Sequence, residues 1–159
     1  MARSAGEIYK VKRRLEVMGG RGASSGRSKG TKSNPEGNVY GSQYHSLYQN
    51  GNIKFVAPNE DALEPLLETM TRGRVYVLVN KKKNGLKSII YFDNDLKRSK
   101  RVDLDHFHEG LKPHTEHGYF NNEIDKKNGV KREATKLTLK EKKMVERVTT
   151  LWNNYLNSR

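Results

Sequence analysis

The sequence predicts an α+β fold. Its parts are a small antiparallel sheet of three or more strands in a meander, a C-terminal helix packed on it, and a disordered basic N-terminal arm. Three observations predict this. "GRVYVLVN" (73–80) and "LKSIIYFD" (86–93) are rich in β-branched and aromatic residues, and "KKKNG" between them is a hairpin signal at Asn84-Gly85. "TLKEKKMVERVTTLWNNYL" places Val145, Val148, Leu151, Trp152, Tyr155 and Leu156 on one helical face behind a Thr138/Glu141 capping box. "GGRGASSGRSKGTKSNPEGN" (19–38) has almost no apolar content, so burial cannot offset the entropy of ordering it.

In chain order, residues 7–18 carry Ile8, Val11, Leu15 and Met18 at helical spacing, and Gly19-Gly20 ends that helix. With the Gly/Ser/Arg stretch it makes residues 1–38 a basic helix and flexible arm; residues 39–159 are the α+β domain. Tyr40, Tyr44 and Tyr48 recur every four residues, a helical or core-edge stripe, with base stacking as the sharper alternative. "NIKFV" (52–56) is a short strand. "APNEDALEPLLETM" (57–70) predicts a short helix with Leu63, Leu66, Leu67 and Met70 on one side and Asn59 or Asp61 as its cap, although Pro65 opposes it unless it lies in the first turn. "NDLK" turns the chain into a third strand, "RSKRVDLDH" (98–106). "NNEIDKKNGVKREATK" reads as a polar loop.

Composition narrows the function. Only 33% of the 159 residues are hydrophobic, so the core is small or part of the chain is unfolded. There is no cysteine, which excludes disulfides and cysteine-ligated zinc. No apolar run approaches the roughly 18 residues of a membrane-spanning helix, and the N-terminus lacks the apolar stretch of a secretory signal, so no membrane partner is expected. The net charge of +13 is unevenly placed. Residues 1–33 hold nine Lys/Arg against two Glu, residues 34–125 hold twelve basic against thirteen acidic groups, and residues 126–159 hold ten against three. Two basic ends around a neutral middle imply a polyanionic partner, most often nucleic acid. Lys29-Gly30-Thr31 has the wrong order for a nucleotide-binding phosphate loop, and no strand precedes it.

Four of the five histidines, His106, His108, His114 and His117, fall within twelve residues. If 102–108 is a strand, Val102, Leu104, His106 and His108 share one side. Three readings follow. The four histidines could bind zinc or another divalent metal. A pair of them could perform acid–base cleavage of nucleic acid beside a Lys or Arg. Or they are structural, as His45 is read to be. No cofactor is required by the first choice below.

"GGRGASSG", "IIYFDNDLKRSKRVDLDHFHEGLKPHTEHGY" and "LTLKEKKMVERVTTLWN" together resemble the minor head proteins encoded near the portal and scaffold genes of staphylococcal siphophages; a similar segment ends some phage head-morphogenesis proteins. The resemblance spans nearly the whole chain. It implies a minor virion protein located inside the phage head and, after ejection with the genome, in the host cytoplasm. The expectation is therefore sequence-independent binding of double-stranded DNA through Arg13, Arg14, Arg21, Arg27, Lys29, Lys32, Lys126, Lys127, Lys131 and Arg132, leaning away from enzymatic activity. The alternatives are a small nuclease using the histidines, or a structural component contacting portal or capsid protein. Trp152 and Tyr155 either cover the sheet or pair with another subunit in a homo-oligomer.

Overall fold

The computed structural model describes residues 44–59, 66–120, 122–125 and 127–159. Among these described residues the elements are, in order, β1 (Tyr44–Asn50), β2 (Ile53–Pro58), β3 (Val75–Asn80), β4 (Gly85–Phe92), β5 (Arg98–Asp103), β6 (His114–His117), β7 (Ile124–Asp125), β8 (Val130–Lys131) and α1 (Leu139–Asn157). The first six form one sheet in sequential order; β7 and β8 form a separate hairpin. The fold is α+β, a mostly antiparallel sheet packed by a C-terminal helix. The N-terminal helix and arm expected over 1–38 lie outside the described residues.

Local chemistry fixes most connections. Gly51, at φ +58°, closes the two-residue turn from β1 to β2. A four-residue loop joins β3 to β4, with Asn84 left-handed at φ +51° and Gly85 opening the next strand. In the β4–β5 turn, the Asp93 carboxylate accepts from the backbone N–H of Asp95 (2.8 Å) and Lys97 (3.0 Å), which selects a turn over continued pairing.

β3, β4 and β5 form the expected antiparallel meander, and β2 joins β3 in parallel (Ile53↔Val75, Phe55↔Val77). The chain must cross over between β2 and β3, as parallel neighbours require. Two local expectations need correction. The helix expected over 57–70 is not formed by its described residues: Ala57 and Pro58 end β2, and Leu66–Met70 has no helical residue, with Glu68 bridged to Lys97. There the backbone bonds go to the β4–β5 turn instead, Thr69 N–H to Leu96 O (2.9 Å) and Arg98 N–H to Leu67 O (2.7 Å). Residues 121–136, read as loop, contain the β7–β8 hairpin.

The sheet is apolar on both faces, which explains why "VYVLVN" has no polar alternation. One face carries Ile53, Phe55, Val75, Val77, Val79, Ile89 and Val102, covered by Val148 and Trp152 of α1. Trp152 stacks on Phe55 (5.3 Å between centroids) and Tyr155 stacks on Tyr48 (4.8 Å). Both aromatic residues therefore cover the sheet of their own chain. The capping box forms as its spacing demands: Glu141 N–H donates to Thr138 Oγ1, and Thr138 N–H to Glu141 Oε1. Glu141 also accepts from Lys100 of β5 (2.7 Å) and the Thr115 hydroxyl of β6 (2.9 Å), which pins the start of the helix to those strands. No helix among the described residues is long and apolar enough to cross a membrane.

The opposite face carries Tyr44, Val56, Tyr76 and Ile90, with Leu66 from the crossover against them. Its far end is polar, and the candidate site lies there.

Candidate functional site

Strand pairing builds this site. Asp103 of β5 sits opposite His114 of β6, and Arg101 sits opposite Glu116. Residues at i and i+2 share a face, so the four side chains form a square on the side away from the helix. Asp103, His114 and Glu116 are all buried. Arg101 Nε lies 2.9 Å from Asp103 Oδ1, and Arg101 NH2 lies 3.3 Å from Glu116 Oε2. His114 Nε2 stands 3.0 Å from Glu116 Oε2 and 3.3 Å from Asp103 Oδ2.

His106 joins from the segment after β5. Its Nδ1 is 2.9 Å from Asp105 Oδ1 and its Nε2 is 3.8 Å from Asp103 Oδ2. Its ring lies edge-on to that of His114, with centroids 5.0 Å apart. Among the described residues, Asp103, His106, His114 and Glu116 offer one donor atom each, all within 4.8 Å of one another.

The two carboxyls move apart in acidity. Burial, above all, pushes Asp103 up against the pull of Arg101. Burial also works to raise Glu116, but hydrogen bonds with Asp103 and His114 and the charge of Arg101 outweigh it and hold this carboxyl down at about 2. The two neighbouring buried carboxyls are thus driven in opposite directions, Asp103 up and Glu116 down.

Beside the cluster is a cleft of about 870 Å³. Tyr44, Pro58, Leu66, Leu78 and Ile90 form its apolar part, and Lys81, Lys82, Lys87, Arg98 and Arg101 make it basic. Asp103, Asp105 and His106 line it as well. Arg98 and Arg101 reach the same face because β5 bulges at Ser99, where Tyr91 pairs with Lys100 and Phe92 with Arg98. Burial, then Arg101, lowers Arg98 to about 10, which leaves it cationic at neutral pH. Arg98 Nε also donates to Gly118 O (3.0 Å), so its position is fixed. Lys81 Nζ is 3.5 Å from Nε2 of His45, whose Nδ1 is 2.7 Å from Asn59 Oδ1.

The four clustered histidines part company. His106 opens on the cleft and His114 lies buried behind it. His108 stays near, 5.4 Å from His114 between centroids, in a tight turn where His108 and Leu111 exchange backbone hydrogen bonds. His117 leaves the group. It follows Glu116 in β6 and so points to the helix side, where Nε2 meets Thr135 Oγ1 (2.9 Å). Burial, with Arg132 and Lys100, lowers its pKa. The expected shared face of Val102, Leu104, His106 and His108 is also corrected. β5 ends at Asp103, and Val102 packs under the helix while His106 turns towards Asp103.

Of the residues expected to bind nucleic acid, Lys127, Lys131 and Arg132 are exposed on and beside the β7–β8 hairpin. Arg13, Arg14, Arg21, Arg27, Lys29, Lys32 and Lys126 lie outside the described residues. Sequence reasoning missed Lys87, Arg98, Arg101, Asp103, Asp105 and Glu116. The signal was there: "RVD" and "HTE" each place two ionisable groups at i and i+2. No family model, curated protein or solved structure matches the chain.

Proposed function

We propose that this protein binds nucleic acid through its phosphate backbone, without reading sequence, and that the cleft beneath the β3–β4 hairpin grips part of that backbone. One observation carries the reading: Lys81, Lys82, Lys87, Arg98 and Arg101 converge on one cleft at the end of the sheet. Clustered cations with apolar walls concentrate a polyanion and release its counterions on binding. Lys127, Lys131 and Arg132, and Lys140, Lys142, Lys143 and Arg147 of α1, are exposed and add positive charge elsewhere on the surface. The resemblance to phage minor head proteins supplies a setting, with packaged double-stranded DNA as the polyanion in the virion interior and, after ejection, the host cytoplasm. Contact with portal or capsid protein alone is the competing role.

The test is binding of full-length protein to duplex DNA across a salt series. Each phosphate contact removed lowers the slope of log affinity against log salt by about 0.9. Lys81→Ala/Lys82→Ala should lower it by nearly twice that amount, and deletion of residues 1–33 should lower it independently. A slope indifferent to both changes overturns the reading.

A second reading, cleavage of the bound phosphodiester, has its own support. His106 and His114 converge beside Arg101, and His106 faces the cleft. Incubation with plasmid DNA and with RNA, with and without EDTA, tests it; intact nucleic acid in every lane removes it.

A further inference from the structure

We propose that Asp103, His106, His114 and Glu116 form a binding site for one first-row divalent cation of the zinc kind. This goes beyond nucleic-acid binding and differs from a four-histidine site, because His117 faces the other side of the sheet.

Distance is the first argument. Donors about 2.1 Å from a tetrahedral ion stand about 3.4 Å from one another. The separations here are 3.0 Å for His114 to Glu116, 3.3 Å for His114 to Asp103 and 3.8 Å for His106 to Asp103. They bracket that edge. All four donors lie within 4.8 Å of one another, and His106, half-exposed and outside the strands, is the member not held by strand pairing.

Orientation is the second. Asp105 Oδ1 lies 2.9 Å from His106 Nδ1 and accepts its proton. Nε2 is then the nitrogen that faces Asp103 Oδ2, at 3.8 Å. A carboxylate holding the far nitrogen of a histidine is also the usual way a metal-binding imidazole is oriented. Arg101 does the same for the acids, since each carboxylate has lone pairs left after meeting one guanidinium. Two carboxylates against that single guanidinium still favour a cation.

The buried imidazole is the third. His114 is fully buried, and its Nε2 faces both Glu116 Oε2 (3.0 Å) and Asp103 Oδ2 (3.3 Å), so one ring nitrogen meets two carboxylates away from bulk water. Two nitrogen and two oxygen donors suit zinc, manganese or iron, and suit calcium or magnesium poorly.

The test is calorimetric titration of full-length, EDTA-stripped protein with Zn²⁺, without nucleic acid. The result expected is one equivalent bound and a rise in melting temperature. His106→Ala and Glu116→Gln should each weaken affinity at least tenfold, given that even a residue merely hydrogen-bonded to a ligand is worth roughly 10–100-fold. His108→Ala should change it little. Melting curves without metal show that each variant is folded, and His106→Ala, at a half-exposed position, keeps the test usable if Glu116→Gln does not fold. Co²⁺ should give the intense visible bands of a four-coordinate centre, lost in His106→Ala. No stoichiometric Zn²⁺ binding overturns the proposal, as does binding that survives His106→Ala or depends on His108 instead. Because nucleic acid is absent, failure here leaves the proposed binding function untouched.

Discussion

The indole N–H of Trp152 donates to the backbone carbonyl of Asn84 at 2.8 Å, tying the C-terminal helix to the β3–β4 hairpin. Asn84 is left-handed, so its carbonyl points out of the strand ladder and the helix supplies its partner. The same hairpin carries Lys81 and Lys82 into the cleft on the other face. Trp152→Phe keeps the apolar contact but deletes this donor and shrinks the ring stacked on Phe55. It should cost about 1–2 kcal/mol, of which about 1 is the hydrogen bond. Denaturant midpoints measure it, and because Trp152 is the only tryptophan, wild-type fluorescence follows the docking of the helix directly.

At the other end of the helix, Glu141 sets an acid limit on stability. Burial works to raise its pKa, but hydrogen bonds from Lys100, the Thr138 backbone and the Thr115 hydroxyl outweigh it and hold the carboxyl below its ordinary 4.5. A depressed folded pKa contributes stability that is present above the unfolded value and lost as pH falls through the folded one. Wild type should therefore exceed Glu141→Gln in stability at neutral pH, and the gap should close as pH drops below 4.5. Urea unfolding at stepped pH values reads this; a constant gap would refute it.

Arg101 is the counter-charge for Asp103 and Glu116. Arg101→Met keeps much of the volume and removes the guanidinium that contacts both carboxylates. Breaking a buried pair in this way costs about 3–5 kcal/mol, and the partial exposure of Arg101 places it near 3. Adding Glu116→Gln to that variant should recover part of the loss, because the second change removes the charge that the first left uncompensated. Equal and additive losses would show that the guanidinium does not serve the pair.

These residues also show how far the sequence could be read. The β-branched and aromatic runs of β3 and β4 and the Thr138/Glu141 box are local patterns, and each appears where its spacing puts it. The Tyr44/Tyr48 period misled because β1 has an extra residue near Leu47, where Ser46 pairs with Val56 and Tyr48 with Phe55. That bulge sends Tyr44 to the cleft face and Tyr48 to the helix face, and no helix is involved. The histidine density marked the right region but the wrong set. Membership depends on the Asp103↔His114 register, which is a tertiary fact, and on alternation within "HTEH", which sends His117 away. The pairing that recruits Asp103 and Glu116 lies between strands separated by a ten-residue connection, and no local spacing encodes it.

Gly118 links this register to the cleft. Its φ is +92°, and a Cβ there would stand 2.8 Å from the Glu123 carboxylate. Its carbonyl accepts from Arg98 Nε (3.0 Å) and its N–H donates to Ser99 O (2.7 Å), so the same residue fixes the β5 bulge and the guanidinium beside it. Gly118→Ala meets both a left-handed backbone and a crowded side chain. The backbone strain alone is on the order of 1–3 kcal/mol. The Glu123 carboxylate is the far end of a flexible chain, so part of the clash can relax, and the loss should fall near the lower figure. Because Arg98 moves with the carbonyl it serves, DNA affinity should fall as well, with a shallower salt slope. Glu123→Ala combined with Gly118→Ala separates the two causes: it relieves the clash but not the backbone strain. Stability returning fully to wild type in that double variant would show that crowding, not the left-handed conformation, is what requires glycine at this position.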